Sequence, residues 1–238
     1  MTDLPTGSTT VRGAARITLA PLAALPPEAE RDQDWLGAAE RARLALISVP
    51  RRRRQFLAGH WLAREMAAQY AGDARHSWEI ATSSDGAPRL VSRDGMVTLS
   101  LSISHCADWV ACAVAAQAIG LDLEVSRRPR RWLGLAEQVF SPQECQRLRT
   151  LPMEALESGF FLHWTIKEAC GKRDGLGLRA EIARRQIAHE CPRDQAQVIT
   201  WQGSDRCLAA AIETGSNVEI EGWPAPASAR YWRIEASD

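Results

Sequence analysis

The segment Ile119-Gly120-Leu121-Asp122-Leu123-Glu124-Val125 constrains this chain most. Apolar Ile119, Leu121, Leu123 and Val125 alternate with Gly120, Asp122 and Glu124, an unbroken period of two that predicts a β-strand. Residues i and i+2 share a strand face, so the two carboxylates point the same way, with Cα atoms about 6.5–7 Å apart. Such a pair reaches one hard cation such as Mg²⁺, which takes one or two carboxylates and completes its shell with substrate phosphates. Gly120 leaves room for another group to approach the strand backbone. A surface strand with an acidic wet face explains the same pattern without a metal, so the choice depends on what the rest of the chain supplies.

The 238 residues are 45% hydrophobic, enough for one large domain or two small ones. Lys+Arg and Asp+Glu both number 29, a balance that argues against a nucleic-acid or membrane partner. Charge is nevertheless clustered: Arg51 to Arg54 form a basic run near Arg41 and Arg43, and Arg127, Arg128, Arg130 and Arg131 follow the acidic strand. Lys167 and Lys172 are the only lysines. The six cysteines, at 106, 112, 145, 170, 191 and 207, form no C-x-x-C pair and read as packed, reduced thiols. No apolar signal core or membrane-length stretch is present, so the expected location is the cytoplasm.

Residues 1–14 and the tail from Pro224 read as loose. Strands are expected at 16–20, 79–82, 97–104, 109–115, 119–125, 198–201, 207–212 and 231–234, with a turn at 85–88. Helices are expected over 35–47, 51–70, 132–139 and 154–172. Another starts at Ser141-Pro142-Gln143-Glu144, where Ser141 is a good N-cap, Pro142 suits the first position and Glu144 completes a capping box. On the last long helix Leu162, Thr165, Ile166 and Ala169 form the buried stripe, and Trp164, Glu168 and Lys172 share another face. A weak repeat aligns His60-Trp61-Leu62-Ala63-Arg64-Glu65 with His163-Trp164-Thr165-Ile166-Lys167-Glu168. The stretch 108–114 likewise aligns with 205–211, in the same order. The expectation is an α+β pseudo-dimer, with halves 15–117 and 118–238 related by a pseudo-twofold and a ligand cleft between them.

Four clusters carry chemistry. Asp122 and Glu124 are the first. Glu168 and Lys172 are the second; their spacing also suits a plain surface ion pair, but both lysines fall in this segment, and lysine is a compact charge for a phosphate oxygen. That makes Lys167 and Lys172 phosphate-binding candidates. Ser104-His105 at a strand end is the third, although a lone histidine is more often structural. The arginine run is the fourth, a solvated helix start or a fork for a phosphate monoester.

Together these residues resemble a known family. Ser102-Ile103-Ser104-His105, Gly120-Leu121-Asp122-Leu123-Glu124, Phe140-Ser141-x-x-Glu144 and Trp164-x-x-Lys167-Glu168-Ala169-x-x-Lys172, with the trailing Gly175-Leu176-Gly177-Leu178, resemble the signatures of Sfp-like 4′-phosphopantetheinyl transferases. The resemblance covers roughly residues 35–215, and the length suits the pseudo-dimeric, monomeric members. It implies transfer of the 4′-phosphopantetheine arm of coenzyme A to a serine of an apo acyl-, peptidyl- or aryl-carrier protein, leaving adenosine 3′,5′-bisphosphate. It implies Mg²⁺ on the pyrophosphate, held by Asp122, Glu124 and either Glu144 or Glu168. Glu168 would be the general base, Lys172 the pyrophosphate contact, and His105 with Arg43 the 3′-phosphate site. Gln55 stands where the family often has arginine, leaving Arg53 or Arg54 to take that place. Gly171 stands where many members carry a larger residue and implies an early helix end. The rival readings are a Mg²⁺-dependent phosphohydrolase of a small phosphorylated substrate, a nucleic-acid-binding module using the arginine run, and an inactive coenzyme A binder.

Overall fold

A computed structural model describes residues 13–83, 86–126, 131–223 and 229–237. The expectations for residues 1–12, Asp85, Arg127, Arg128, Arg130 and the chain from Pro224 to Ser228 lie outside the described residues. The fold is mixed helix and sheet. Strand β1 (Ala15–Pro21) leads to α1 (Pro27–Arg31), α2 (Ala38–Ala45) and the long α3 (Pro50–Ala71). Strands β2 (Trp78–Thr82), β3 (Pro88–Ser92), β4 (Thr98–Cys106), β5 (Trp109–Ala115) and β6 (Gly120–Val125) follow. Next come α4 (Trp132–Val139), α5 (Pro142–Arg149), α6 (Met153–Arg173) and α7 (Ala180–Ala183). Strands β7 (Gln186–Glu190), β8 (Val198–Gln202), β9 (Arg206–Ala211), β10 (Val218–Glu221) and β11 (Arg230–Ala236) complete the chain.

Pro50 opens α3, one residue before the expected start at 51, because the first helical position needs no amide donor. The expected helix over 35–47 shrinks to α2, which Gly37 introduces. Strands β3, β7 and β10 escaped the sequence reading, since each is at most five residues and two hold proline or alternating charge. The capping box of α5 forms as expected: Ser141 Oγ accepts from the Glu144 amide at 3.2 Å, and the Ser141 amide donates to Glu144 Oε2 at 3.0 Å.

Two sheets form, ordered β10-β1-β5-β4-β3-β2 and β6-β9-β8-β11-β7. Helix α3 covers one face of the first through Trp61, Ala63 and Met66, and α6 covers the second through Leu162, Ile166 and Ala169. The other faces meet in a central core, where Ile17, Leu19, Ala111 and Ala113 pack with Leu121, Leu123, Leu208 and Ala210. The register makes the correspondence of the sheets concrete. Thr18 lies opposite Cys112 and Ala20 opposite Val110, whereas Asp122 lies opposite Ala209 and Glu124 opposite Cys207. The aligned stretches 108–114 and 205–211 pair Cys112 with Ala209 and Val110 with Cys207, so β1 and β6 occupy corresponding positions, with Thr18 and Ala20 where the second sheet has its acids. One strand breaks the division at residue 117: β10 pairs in parallel with β1, Ala15 with Val218 through Thr18 with Glu221.

Candidate active site

Strand β4 brings the halves together. Its odd-numbered Leu99, Leu101 and Ile103 face α3, and Ser100, Ser102 and Ser104 face β6. The three hydroxyls accept from the amides of Ile119, Leu121 and Leu123 at 3.2, 2.9 and 3.1 Å. Side-chain oxygens thus satisfy the edge donors of β6 that a neighbouring strand would otherwise take. Ser104 also donates to Asp122 Oδ1 at 3.0 Å, which fixes that carboxylate at the seam.

Helix α6 lies directly on β6. A Cβ at Gly120 would meet the Ala169 carbonyl oxygen at 1.9 Å, so only glycine allows the approach. The contact places Glu168 and Lys172 over the strand. Lys172 Nζ donates to Asp122 Oδ1 at 2.7 Å, to the Leu121 carbonyl at 2.9 Å and to Ser104 Oγ at 3.3 Å. Burial raises the Glu168 pKa, and the nearby Asp122 and Glu124 carboxylates raise it further against the opposing Lys172 charge. Gly171 does not end the helix: a Cβ there would strike the Gly177 carbonyl at 2.5 Å, so the residue is small to let the returning chain pass.

Among the described residues no group of three His, Cys, Asp or Glu is assembled to hold a metal ion. The acids nevertheless fit a hard cation that brings part of its own shell. Asp122 Oδ2 is buried with no hydrogen-bond partner, and such an orphan carboxylate oxygen is costly without a cation. Glu124, two residues on, presents Oε2 to the Cys106 thiol at 3.2 Å.

Two expected members are elsewhere. Glu144 is fully buried, and Lys167 reaches its Oε2 at 2.9 Å while donating to the Ala183 and Gln186 carbonyls, each at 2.7 Å. Glu144 Oε1 also accepts from the Ala188 amide, and His163 Nδ1 lies 3.4 Å from it, beyond a well-aligned hydrogen bond. Burial would raise the Glu144 pKa, but His163 and Lys167 outweigh it and hold the carboxyl at about 2. Glu144 is therefore a corner post of α5 and α6 rather than the third acid at Asp122, and Lys167 is its counter-ion rather than a phosphate contact. Both lysines sit on one helix, but the helical step turns Lys167 to a different face from Glu168.

The basic cleft is in the first half. A cavity of about 440 Å³ is lined by Arg43, Arg52, His105, His60 and Phe56. Arg52 Nη1 lies 3.3 Å from His105 Nδ1, and burial followed by the Arg52 and Lys172 charges keeps the His105 pKa low. Arg53 and Arg54, the expected partners of His105, point away. Arg53 donates to the Leu44 and Ile47 carbonyls at the end of α2, and Arg54 pairs with Glu30 at 2.6 Å. Of the expected basic run, Arg52 is the member that joins His105 in this cavity. Gln55 is buried and donates to the Ala107 carbonyl at 2.9 Å, on the loop after His105. Another cavity of about 360 Å³, sharing His105 with the first, runs between Glu124, Trp132, Phe160, Phe161 and Trp164.

Known proteins similar to this chain identify its family. The model of the 4′-phosphopantetheinyl transferase superfamily matches residues 118–227, and that of the 4′-phosphopantetheinyl transferase N-terminal domain matches residues 40–115. The chain is 32% identical over 197 residues to the 4′-phosphopantetheinyl transferase HetI of Nostoc sp., covering 79% of this chain and 82% of that relative. It is 34% identical over 77 residues to the 4′-phosphopantetheinyl transferase Sfp of Bacillus subtilis, covering 32% and 34% of the two chains. With a long relative so matched and both family regions present in order, the chain belongs to the 4′-phosphopantetheinyl transferase family.

Proposed function

We propose that the seam between β4, β6 and α6 is where this enzyme transfers the 4′-phosphopantetheine arm of coenzyme A to a carrier-protein serine, releasing adenosine 3′,5′-bisphosphate. The observation that carries this site assignment is the meeting of Lys172, Ser104 and Asp122 at one point, with the second oxygen of Asp122 unpartnered. The basic cleft supports a seat for the 3′-phosphate on Arg43, Arg52 and His105, since a dianion needs charge-assisted donors. The cavity at Glu124 supports a channel for the pantetheine arm. The pyrophosphate then crosses the acids between these two recesses.

Asp122 and Glu124 would hold Mg²⁺, with Glu168 as the third acid. Bound there, Mg²⁺ supplies charge neutralisation on the pyrophosphate and on the leaving bisphosphate. Lys172 moves its charge from Asp122 to a phosphate oxygen when substrate arrives. Glu168 takes the serine proton as the oxygen attacks phosphorus, a contribution typically worth about 10²–10⁴-fold. The corresponding registers of β1 and β6 support two halves, 15–117 and 118–238, related by a pseudo-twofold with β10 exchanged onto the first sheet. No described helix is long and apolar enough to cross a membrane. We infer a monomeric, cytoplasmic enzyme serving acyl-, peptidyl- or aryl-carrier proteins.

The test is an incubation with coenzyme A, Mg²⁺ and a panel of apo carrier proteins, read by mass. Addition of the phosphopantetheine mass to one carrier class is the expected result. Release of pantetheine phosphate to water with every carrier left unmodified would overturn the assignment in favour of hydrolysis.

A further inference from the structure

The basic cleft of the first half has a counterpart in the second. Each half contains a glutamate at the third position of a short helix, Glu40 on α2 and Glu144 on α5, accepting from the amide that precedes the helix. Each glutamate then faces a histidine and binds a cation one turn apart on the long helix: His60 at 2.6 Å and Arg64 on α3, His163 at 3.4 Å and Lys167 on α6. Three residues after each glutamate stands an arginine, Arg43 or Arg147. Both arginines and both histidines line cavities, of about 440 Å³ in the first half and about 470 Å³ in the second.

The second cavity is separate from the catalytic seam: it lies on the His163 face of α6, whereas Glu168 and Lys172 face β6. Its floor is apolar, with Leu148, Leu162 and Trp232. His163 is only 7% exposed; its Nδ1 faces Glu144 Oε1 at 3.4 Å, and its ring lines the cavity. Arg147 is exposed and steadied by one bond to the Ala188 carbonyl at 3.1 Å, which leaves donors of its fork available. Arg230 stands at the mouth, held against Glu190 by two bonds of 3.1 Å. The cavity differs from its counterpart at two positions. Arg52 precedes His60 by the same interval as Ala155 precedes His163, and His105 precedes Asp108 as Gln202 precedes Asp205.

The geometry points to a second, non-catalytic nucleotide site in this cavity, taking a nucleoside phosphate on Arg147 and His163 with the base over the apolar floor. It rests on the paired-halves reading given above. The site holds ligand more weakly than the first cleft because Ala155 and Gln202 stand in place of Arg52 and His105. It performs no transfer, since Thr18 and Ala20 replace the acids at the corresponding positions of β1. Occupancy by adenosine 3′,5′-bisphosphate would let the product act on α5 and α6 without competing for the seam.

The experiment uses the full chain with Mg²⁺ and saturating coenzyme A, so that the first cleft is filled. Adenosine 3′,5′-bisphosphate is titrated while the His163 ring is followed by NMR, and binding is counted by calorimetry in parallel. The expected result is a saturable His163 shift at least tenfold weaker than binding in the first cleft. Arg147→Ala should weaken it at least tenfold with transfer rate unchanged, and Ala155→Arg should tighten it. A parent protein whose His163 signal stays fixed, or an Ala155→Arg variant that binds no better, overturns the site. Inorganic phosphate producing the same shift at the same concentration overturns its assignment to a nucleoside phosphate. The His163 signal reports its own cavity, so its absence is distinguishable from failure of coenzyme A to bind at the seam.

Discussion

Strands β1 and β6 hold corresponding places in the two sheets, yet only β6 carries acids. Opposite the same positions of the aligned strands stand Thr18 and Ala20 in one half and Asp122 and Glu124 in the other. The long helices diverge in parallel. Glu168 leans toward the acids of β6, whereas Glu65, at the same interval after its histidine, accepts from Trp61 and pairs with Arg75 at 3.2 Å. What the halves share is the buried Glu–His–cation corner; what they divide is charge, with Arg43, Arg52 and His105 lining a cavity in one and Asp122 and Glu124 on β6 in the other. One architecture therefore serves two electrostatic tasks because the corner posts that fix the helices are separate from the residues that face the cleft.

The sharpest break in this comparison is at the acids. Asp122→Ala should abolish carrier modification with the circular dichroism unchanged, because Thr18 and Ala20 give the other sheet nothing to substitute. Glu168→Gln should lower turnover by about 10²–10⁴-fold while calorimetric coenzyme A affinity changes far less. Parent-rate transfer by Glu168→Gln would make that helix face a structural ion pair.

The corner posts come next. Lys167→Met leaves Glu144 buried without its ammonium and should cost about 3–5 kcal/mol in denaturant unfolding. Arg64→Met should cost a similar amount at Glu40, whose pair with Arg64 is equally enclosed. Replacing both members, Glu144→Gln with Lys167→Met, should recover much of the loss. If Lys167→Met instead weakens coenzyme A binding at unchanged stability, the lysine belongs to the phosphate site after all.

A third measurement treats both corners at once. Burial would raise the Glu40 pKa, but His60 and Arg64 outweigh it and hold it at about 2, matching Glu144. The unfolded chain takes up protons on these groups near their ordinary value of 4.5, and the folded chain does so only near 2. Stability contributed above pH 4.5 is therefore lost as the pH falls toward 2, by roughly 2–4 kcal/mol per corner. Unfolding free energies at pH 6 and pH 3 check this, and the slope should flatten in Glu144→Gln.

The smallest effect separates the arginines. Arg52→Ala should weaken coenzyme A binding about tenfold, or about 1.4 kcal/mol, and 3′-dephospho-coenzyme A much less. Arg54→Ala, removing an exposed pair with Glu30, should change neither. Equal losses for both ligands in Arg52→Ala would move the 3′-phosphate elsewhere.

The sequence alone determined the features whose cause is local. The alternation in 119–125, the capping box at Ser141 and the buried stripe of α6 each follow from periodicity or from hydrogen bonds within a few residues. Family likeness added the expected roles of Glu168 and Lys172, whose shared helix face was already readable from their spacing. Tertiary structure decided which of four consecutive arginines turns to His105, since each step along a helix rotates the side chain by about 100°. It also turned Lys167 inward to Glu144, placed three serines along β6 and sent β10 across to β1. None of these is legible in a local pattern, because each partner is distant in the chain and is fixed only when two helices and two sheets pack together.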